Sequence, residues 1–138
     1  MPQYKAPIRD MQFLLHEVFN IEGHYKALRG NDEVNRELVD AILEEGARFS
    51  ENELAPLNRS GDEEGCTFEN GNVTTPKGFK EAYQKYVENG WGAMTAHAEM
   101  GGQGLPPSMG TFVSEMNGTA NWSWSMYPGL THGAIRTI

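Results

Sequence analysis

Apolar residues recur along this chain at spacings of three and four. Ile8, Met11, Leu14, Leu15, Val18 and Phe19 form the first such set. They predict a short amphipathic helix over residues 7–20, with Pro7 as its first residue. Residues 21–30 read as a connector. Val34, Leu38, Ile42 and Phe49 make a second stripe, widened by Val39 and Leu43. Glu37, Asp40, Glu44, Arg48 and Glu51 occupy the opposite face, and Asp32 and Glu33 put negative charge in the first turn, where the helix dipole favours it. The spacing predicts a helix over 32–54. Pro56 then ends the pattern, and 56–65 reads as a polar, solvated loop with Asp62, Glu63 and Glu64 near its end.

Beyond the loop the period changes. Asn70-Gly71 separates two short β-prone runs, and both residues tolerate the positive φ of a tight turn. A small hairpin is predicted at 66–75, and so small a sheet needs helices to pack on. Phe79, Ala82, Tyr83, Tyr86 and Val87 line one side of the next helix, which Asn89-Gly90 ends. Trp91 to Thr95 is a short apolar crossing. Gly101-Gly102-Gln103-Gly104 allows a tight bend; it lacks the Gly-Lys-Ser/Thr of a phosphate loop. Pro106-Pro107 opens a helix faced by Met109, Phe112, Val113 and Met116. Residues 121–138 are apolar on all sides, with Trp122, Trp124, Met126, Tyr127, Leu130 and Ile135. Such a segment is expected to be buried, and Pro128 to bend or interrupt it. A buried helix this near the last residue suggests a protein that continues.

Composition narrows the function. The net charge of −8 over 138 residues argues against nucleic acid and against an anionic membrane surface. No run approaches the ~20 apolar residues of a membrane span, and Met1 to Asp10 lacks the form of a secretory signal. A cytoplasmic protein is the simplest account, so the four Asn-x-Ser/Thr triplets at Asn58, Asn72, Asn117 and Asn121 read as coincidence. The apolar content of 38% is low for a self-sufficient core and hints at surface meant for a partner or a further domain.

Chemistry is sparse. Cys66, the single cysteine, has no nearby histidine to activate it. His16, His24, His97 and His132 have no second ligand at helical spacing, so no metal site is expected. His132, in the apolar segment, reads as a hydrogen-bonded interior histidine. There is no Gly-x-Ser-x-Gly elbow, and the carboxylates sit on polar helix faces.

Three collinear stretches carry a resemblance. They are Tyr4-Lys5-Ala6-Pro7-Ile8-Arg9-Asp10-Met11 with Phe13 to Val18; Leu54 to Asn58 through Asp62 to Cys66 and Pro76 to Tyr83; and Gly101-Gly102-Gln103-Gly104 through Asn121-Trp122 to Tyr127-Pro128-Gly129-Leu130-Thr131-His132-Gly133-Ala134. Together they resemble the N-terminal part of the acyl-CoA dehydrogenase family, in the branch typified by 3-methylmercaptopropionyl-CoA dehydrogenase. The resemblance implies a mainly α fold, the family's N-terminal helical domain with one small β-hairpin near 66–75. Residues 1–30 would be an N-terminal extension with a short amphipathic helix. Residues 31–138 would be the helical domain, incomplete, without the middle β-domain and C-terminal helical domain.

It implies FAD as the cofactor of the full-length enzyme and none bound by this segment alone. The implied partners are an acyl-CoA substrate, electron-transferring flavoprotein and further copies in a homo-oligomer. The family's catalytic glutamate and β-domain flavin contacts have no counterpart here, so no catalytic or cofactor residue is assigned. The helix after the Gly-Gly-x-Gly loop partly walls the family's acyl pocket. An ungapped match from that loop places Met126, Gly129, Leu130 and Gly133 on the pocket side. Their spacing fits one helix face; the glycines leave room, and Met126 is adaptable enough for a branched or sulfur-bearing tail. The reading of a different class is a stand-alone helical binding or assembly module without catalysis.

Overall fold

The computed structural model describes residues 3–28, 33–135 and 137. Seven α-helices and one hairpin make up its regular structure: α1 Ile8–Gln12, α2 Ile21–Ala27, α3 Arg36–Phe49, α4 Ala55–Glu64, β1 Thr67–Glu69, β2 Asn72–Thr74, α5 Phe79–Glu88, α6 Pro107–Ala120 and α7 Trp122–Ile135. π-Helical turns at Phe13–Val18 and Ser50–Leu54 extend α1 and join α3 to α4.

Helices α3 and α6 form the centre. Val39, Leu43 and Ala47 of α3 meet Met109, Val113 and Met116 of α6, and Met11, Leu15 and Tyr25 of the extension close over them. The widened edge of the predicted stripe is therefore its middle: Val39 and Leu43 are fully buried, whereas Leu38 and Ile42 are only partly so. Gly46 lets the two helices approach, since a Cβ there would lie 2.8 Å from Met116 Cε. A second core gathers Phe49, Leu54, Phe79, Ala82, Tyr86, Ala120 and Trp124, and Trp91 packs against both.

The hairpin forms as predicted. Asn70 and Gly71 take φ of 49° and 81°, and Glu69 pairs with Asn72 across the two-residue turn. Its expected packing does not occur: every strand residue is exposed, including Phe68 at 75% and Val73 at 67%. The glycine-rich loop makes the expected bend. It pairs by backbone with the preceding turn, Gln103 N–H donating to Ala93 O and Leu105 N–H to Met94 O. Only glycine fits at 102, where a Cβ would lie 2.1 Å from Ala96 O.

Three elements depart from the pattern reading. Residues 21–27 are helix α2, not a connector, because Ile21 and Tyr25 share one buried face and Tyr25 Oη bonds Ser108 Oγ at 2.6 Å. The long helix starts at Arg36, where Asn35 caps it by accepting from Leu38 N–H at 2.9 Å; Asp32 lies outside the described residues. The loop at 56–65 is helix α4. Pro56 falls in its first turn, where a missing N–H costs nothing, and Gly61 allows Phe79 to lie against the helix.

The extension is tied down by polar contacts that sequence spacing hides. Lys5 Nζ meets Glu51 Oε2 at 2.6 Å, and Ala6 N–H donates to Glu51 Oε1 at 2.9 Å. His16, its side chain 3% exposed, bonds Asp40 at 2.7 Å. The outer side of this segment leaves Phe13, Leu14, Val18 and Phe19 exposed.

Candidate functional site

Helix α7 carries all four residues singled out for acyl contact, so its placement decides the site. Asn121 sets its start. This side chain is fully buried. Its Oδ1 accepts from Trp124 N–H at 3.0 Å and from Ser123 Oγ at 3.0 Å, which satisfies first-turn donors as a helix cap does. Its Nδ2 donates to Leu54 O at 3.2 Å, which fixes the helix start to the end of the Ser50–Leu54 turn. One turn earlier, Ser50 Oγ donates to Asn117 Oδ1 at 2.8 Å. Sequence spacing could not reveal this role of Asn121, because Leu54 is 67 residues away.

Trp124 anchors the first turn. It is fully buried, donates from Nε1 to Phe79 O at 3.1 Å, and packs against Phe49, Tyr83 and Tyr86. Pro128 is also buried and does not interrupt the helix: α7 runs through it to Ile135. A proline inside a helix removes one backbone bond; burial of its ring on the inner face keeps the helical path.

The rest of α7 departs from the buried segment expected. Only Trp124 and Pro128 are buried, while Trp122 is 70%, Met126 50% and Leu130 76% exposed. Gly129 and Gly133 are exposed too, with no heavy atom within 4 Å of where a Cβ would stand. The structure thus brings Met126, Gly129, Leu130 and Gly133 to one open side of an unbroken helix. The segment is apolar all round, yet one side faces solvent. Such a patch favours association. The chain is expected to self-associate through α7, and Trp122→Lys with Leu130→Lys to raise the dissociation constant about tenfold or more. Sedimentation velocity reads this directly; unchanged association in the double variant would exclude α7 as the contact.

Tyr86 and His132 pair on the inner side. Tyr86 Oη lies 3.3 Å from His132 Nε2, which makes the half-buried His132 the hydrogen-bonded histidine expected. Burial, and secondarily Tyr83, push the Tyr86 phenol far above its ordinary value. A pKa raised in the folded state adds stability below the unfolded value, near 10, and loses it as pH rises beyond that. Stability should therefore fall from about pH 10 upward, by at most ~1.4 kcal/mol per pH unit for one group. Urea midpoints between pH 9 and 11.5 should show a shallower fall in Tyr86→Phe than in the parent.

Cys66 is exposed, and its Sγ lies 3.6 Å from Tyr127 Oη. Among the described residues no three His, Cys, Asp or Glu side chains are placed to hold a metal, and no helix is long and apolar enough to cross a membrane.

Residues 36–138 match the family model described as acyl-CoA dehydrogenase, N-terminal domain. Over 135 residues the chain is 39% identical to the 3-methylmercaptopropionyl-CoA dehydrogenase of Ruegeria pomeroyi. That alignment covers 98% of this chain and 23% of the relative, so the chain spans about a quarter of the relative's length.

Proposed function

This chain belongs to the acyl-CoA dehydrogenase family, and from that premise we propose that it is the N-terminal part of an FAD-dependent enzyme that oxidises an acyl-CoA to its enoyl-CoA. Its contribution is a wall for the acyl group rather than catalytic side chains. One observation carries this reading: the open apolar side of α7, where Met126 and Leu130 are exposed and a Cβ at Gly129 or Gly133 would meet no heavy atom within 4 Å. An acyl tail placed there would be shielded from water by Trp122 and Leu130. Excluding water strengthens every electrostatic interaction at a reacting centre.

The residues on that side do not fit a flavin by themselves. Met126, Gly129, Leu130 and Gly133 offer no charged group and no side-chain hydrogen-bond donor for a pyrophosphate or a ring edge. No step is assigned to FAD on this chain; its binding belongs to the regions by which the family exceeds this one. Electron-transferring flavoprotein as acceptor, a homo-oligomeric enzyme and a cytoplasmic location complete the reading.

Gly133→Leu in the full-length enzyme tests it. A Cβ at this open position meets no heavy atom within 4 Å, so folding should be spared. Activity should shift toward shorter acyl chains, with kcat/KM for the longest accepted substrate falling about tenfold to a hundredfold, the scale of a few methylene contacts. An unchanged chain-length profile would remove α7 from the pocket.

A further inference from the structure

The inner side of α7 borders a different feature. A cleft of about 680 Å³ runs between α6, the turn at residues 94–97 and the C-terminal half of α7. Small-molecule pockets usually measure roughly 300–1,000 Å³. Its apolar surface comes from Trp91, Met94, Met100, Val113 and Ile135. Its polar surface comes from the hydroxyls of Thr95, Thr111 and Ser114 and the imidazoles of His97 and His132.

What the cleft lacks is as informative. Asp and Glu outnumber Lys and Arg in this chain by 19 to 11, yet among the described residues none of the four types lines the cleft. It is a concave region where an anion meets no carboxylate. Two of the chain's four histidines are there instead. The buried phenol of Tyr86 keeps its proton, so it can donate to His132 Nε2. With Nε2 engaged as the acceptor, Nδ1 is the ring nitrogen of His132 left to donate.

We propose that this cleft binds a small amphipathic monocarboxylate, with its head on the histidines and hydroxyls and its tail along Met94, Met100 and Ile135. A carboxylate suits uncharged donors and one or two imidazoles. A phosphate dianion would call for the fork of an Arg or the charge of a Lys, and no described residue of the lining supplies either. The site is distinct from the acyl wall. At 100° per residue, Ile135 lies on the side of α7 opposite Met126, Gly129, Leu130 and Gly133, while His132 stands on the flank between the two sides, about 60° round from Gly129.

Octanoate and octanol, titrated into the ¹⁵N-labelled chain and followed by amide shifts, test the assignment. Octanoate should saturate with a Kd on the order of 100 µM, and octanol should bind at least about tenfold more weakly. Shifts should map to residues 94–97, the first half of α6 and His132. Ser114→Phe, which fills the cleft from an exposed helix position, should weaken octanoate about tenfold. If that variant loses its native spectrum, Thr111→Phe on the same wall replaces it. His97→Phe should erase most of the preference for the acid over the alcohol. Gly133→Leu should leave octanoate binding within about twofold, so failure here is distinguishable from failure of the acyl wall. Equal binding of octanol, shifts confined to Met126 and Leu130, or a folded Ser114→Phe chain that binds as the parent does would each overturn the proposal.

Discussion

Trp124→Ala is expected to lower the unfolding free energy by about 3–5 kcal/mol, the usual cost of removing a buried large aromatic side chain. Trp124 has no exposed surface and touches the rings of Phe49, Tyr83 and Tyr86. Its indole N–H is also the bond to Phe79 O, and the truncation leaves that carbonyl without this donor. Domains of this size are stable by only about 5–15 kcal/mol, so the variant should sit near the folding threshold. Trp124→Phe separates the two parts of the loss. It keeps most of the apolar volume and removes the hydrogen bond, and it should recover more than half of the cost. Urea denaturation of all three proteins gives the comparison. A loss below about 1 kcal/mol in Trp124→Ala would mean that the second core can close over the gap, contrary to the close packing that makes such cavities costly.

Asn121→Ala should cost about 2–4 kcal/mol. Losing a helix cap accounts for about 0.5–2 of this. The buried Leu54 carbonyl, left without Nδ2, accounts for about 1–3 more. Asn121→Ser separates them, because a serine hydroxyl can still cap α7 but cannot span to Leu54. It should therefore be intermediate. Serine equal to alanine would show that the cap contributes nothing, and serine equal to the parent would show the same for the Leu54 bond. A loosened α7 start also displaces Met126 and Leu130, so in a full-length enzyme Asn121→Ala should impair activity beyond its effect on abundance.

Much of this protein is legible in the order of its residues. The hairpin follows from Asn70-Gly71, since few other pairs accept two successive positive φ angles. Helices α5 and α6 follow from three- and four-residue spacing with Asn89-Gly90 and Pro106-Pro107 as punctuation, whereas α7 reads as a buried segment bent or broken at Pro128 and proves continuous and largely exposed. The family is legible too, because three collinear stretches are far more specific than any one motif, and the family match over residues 36–138 with the relative aligned over 135 residues agrees with them.

The misread elements share a cause. Pro56 ends one pattern and begins another, and a local rule cannot say which role dominates; burial of Gly61 against Phe79 decides it. Helix α2 looks like a connector because only Ile21 and Tyr25 carry its buried face, and Ser108, their polar companion, is 83 residues from Tyr25.

Composition, periodicity and turn residues therefore determined the helical class and the hairpin, and the resemblance of three collinear stretches pointed to the family and to Met126, Gly129, Leu130 and Gly133. The direction in which those four residues face was decided only in three dimensions. A helix apolar on every side has no moment to orient it. Trp124 and Pro128 turn inward because Phe79 O and the aromatic cluster are there to receive the indole, and Asn121 fixes the rotation through Leu54 O. The wall side and the cleft side of α7 are set by contacts 45 and 67 residues away along the chain, beyond the reach of any local pattern.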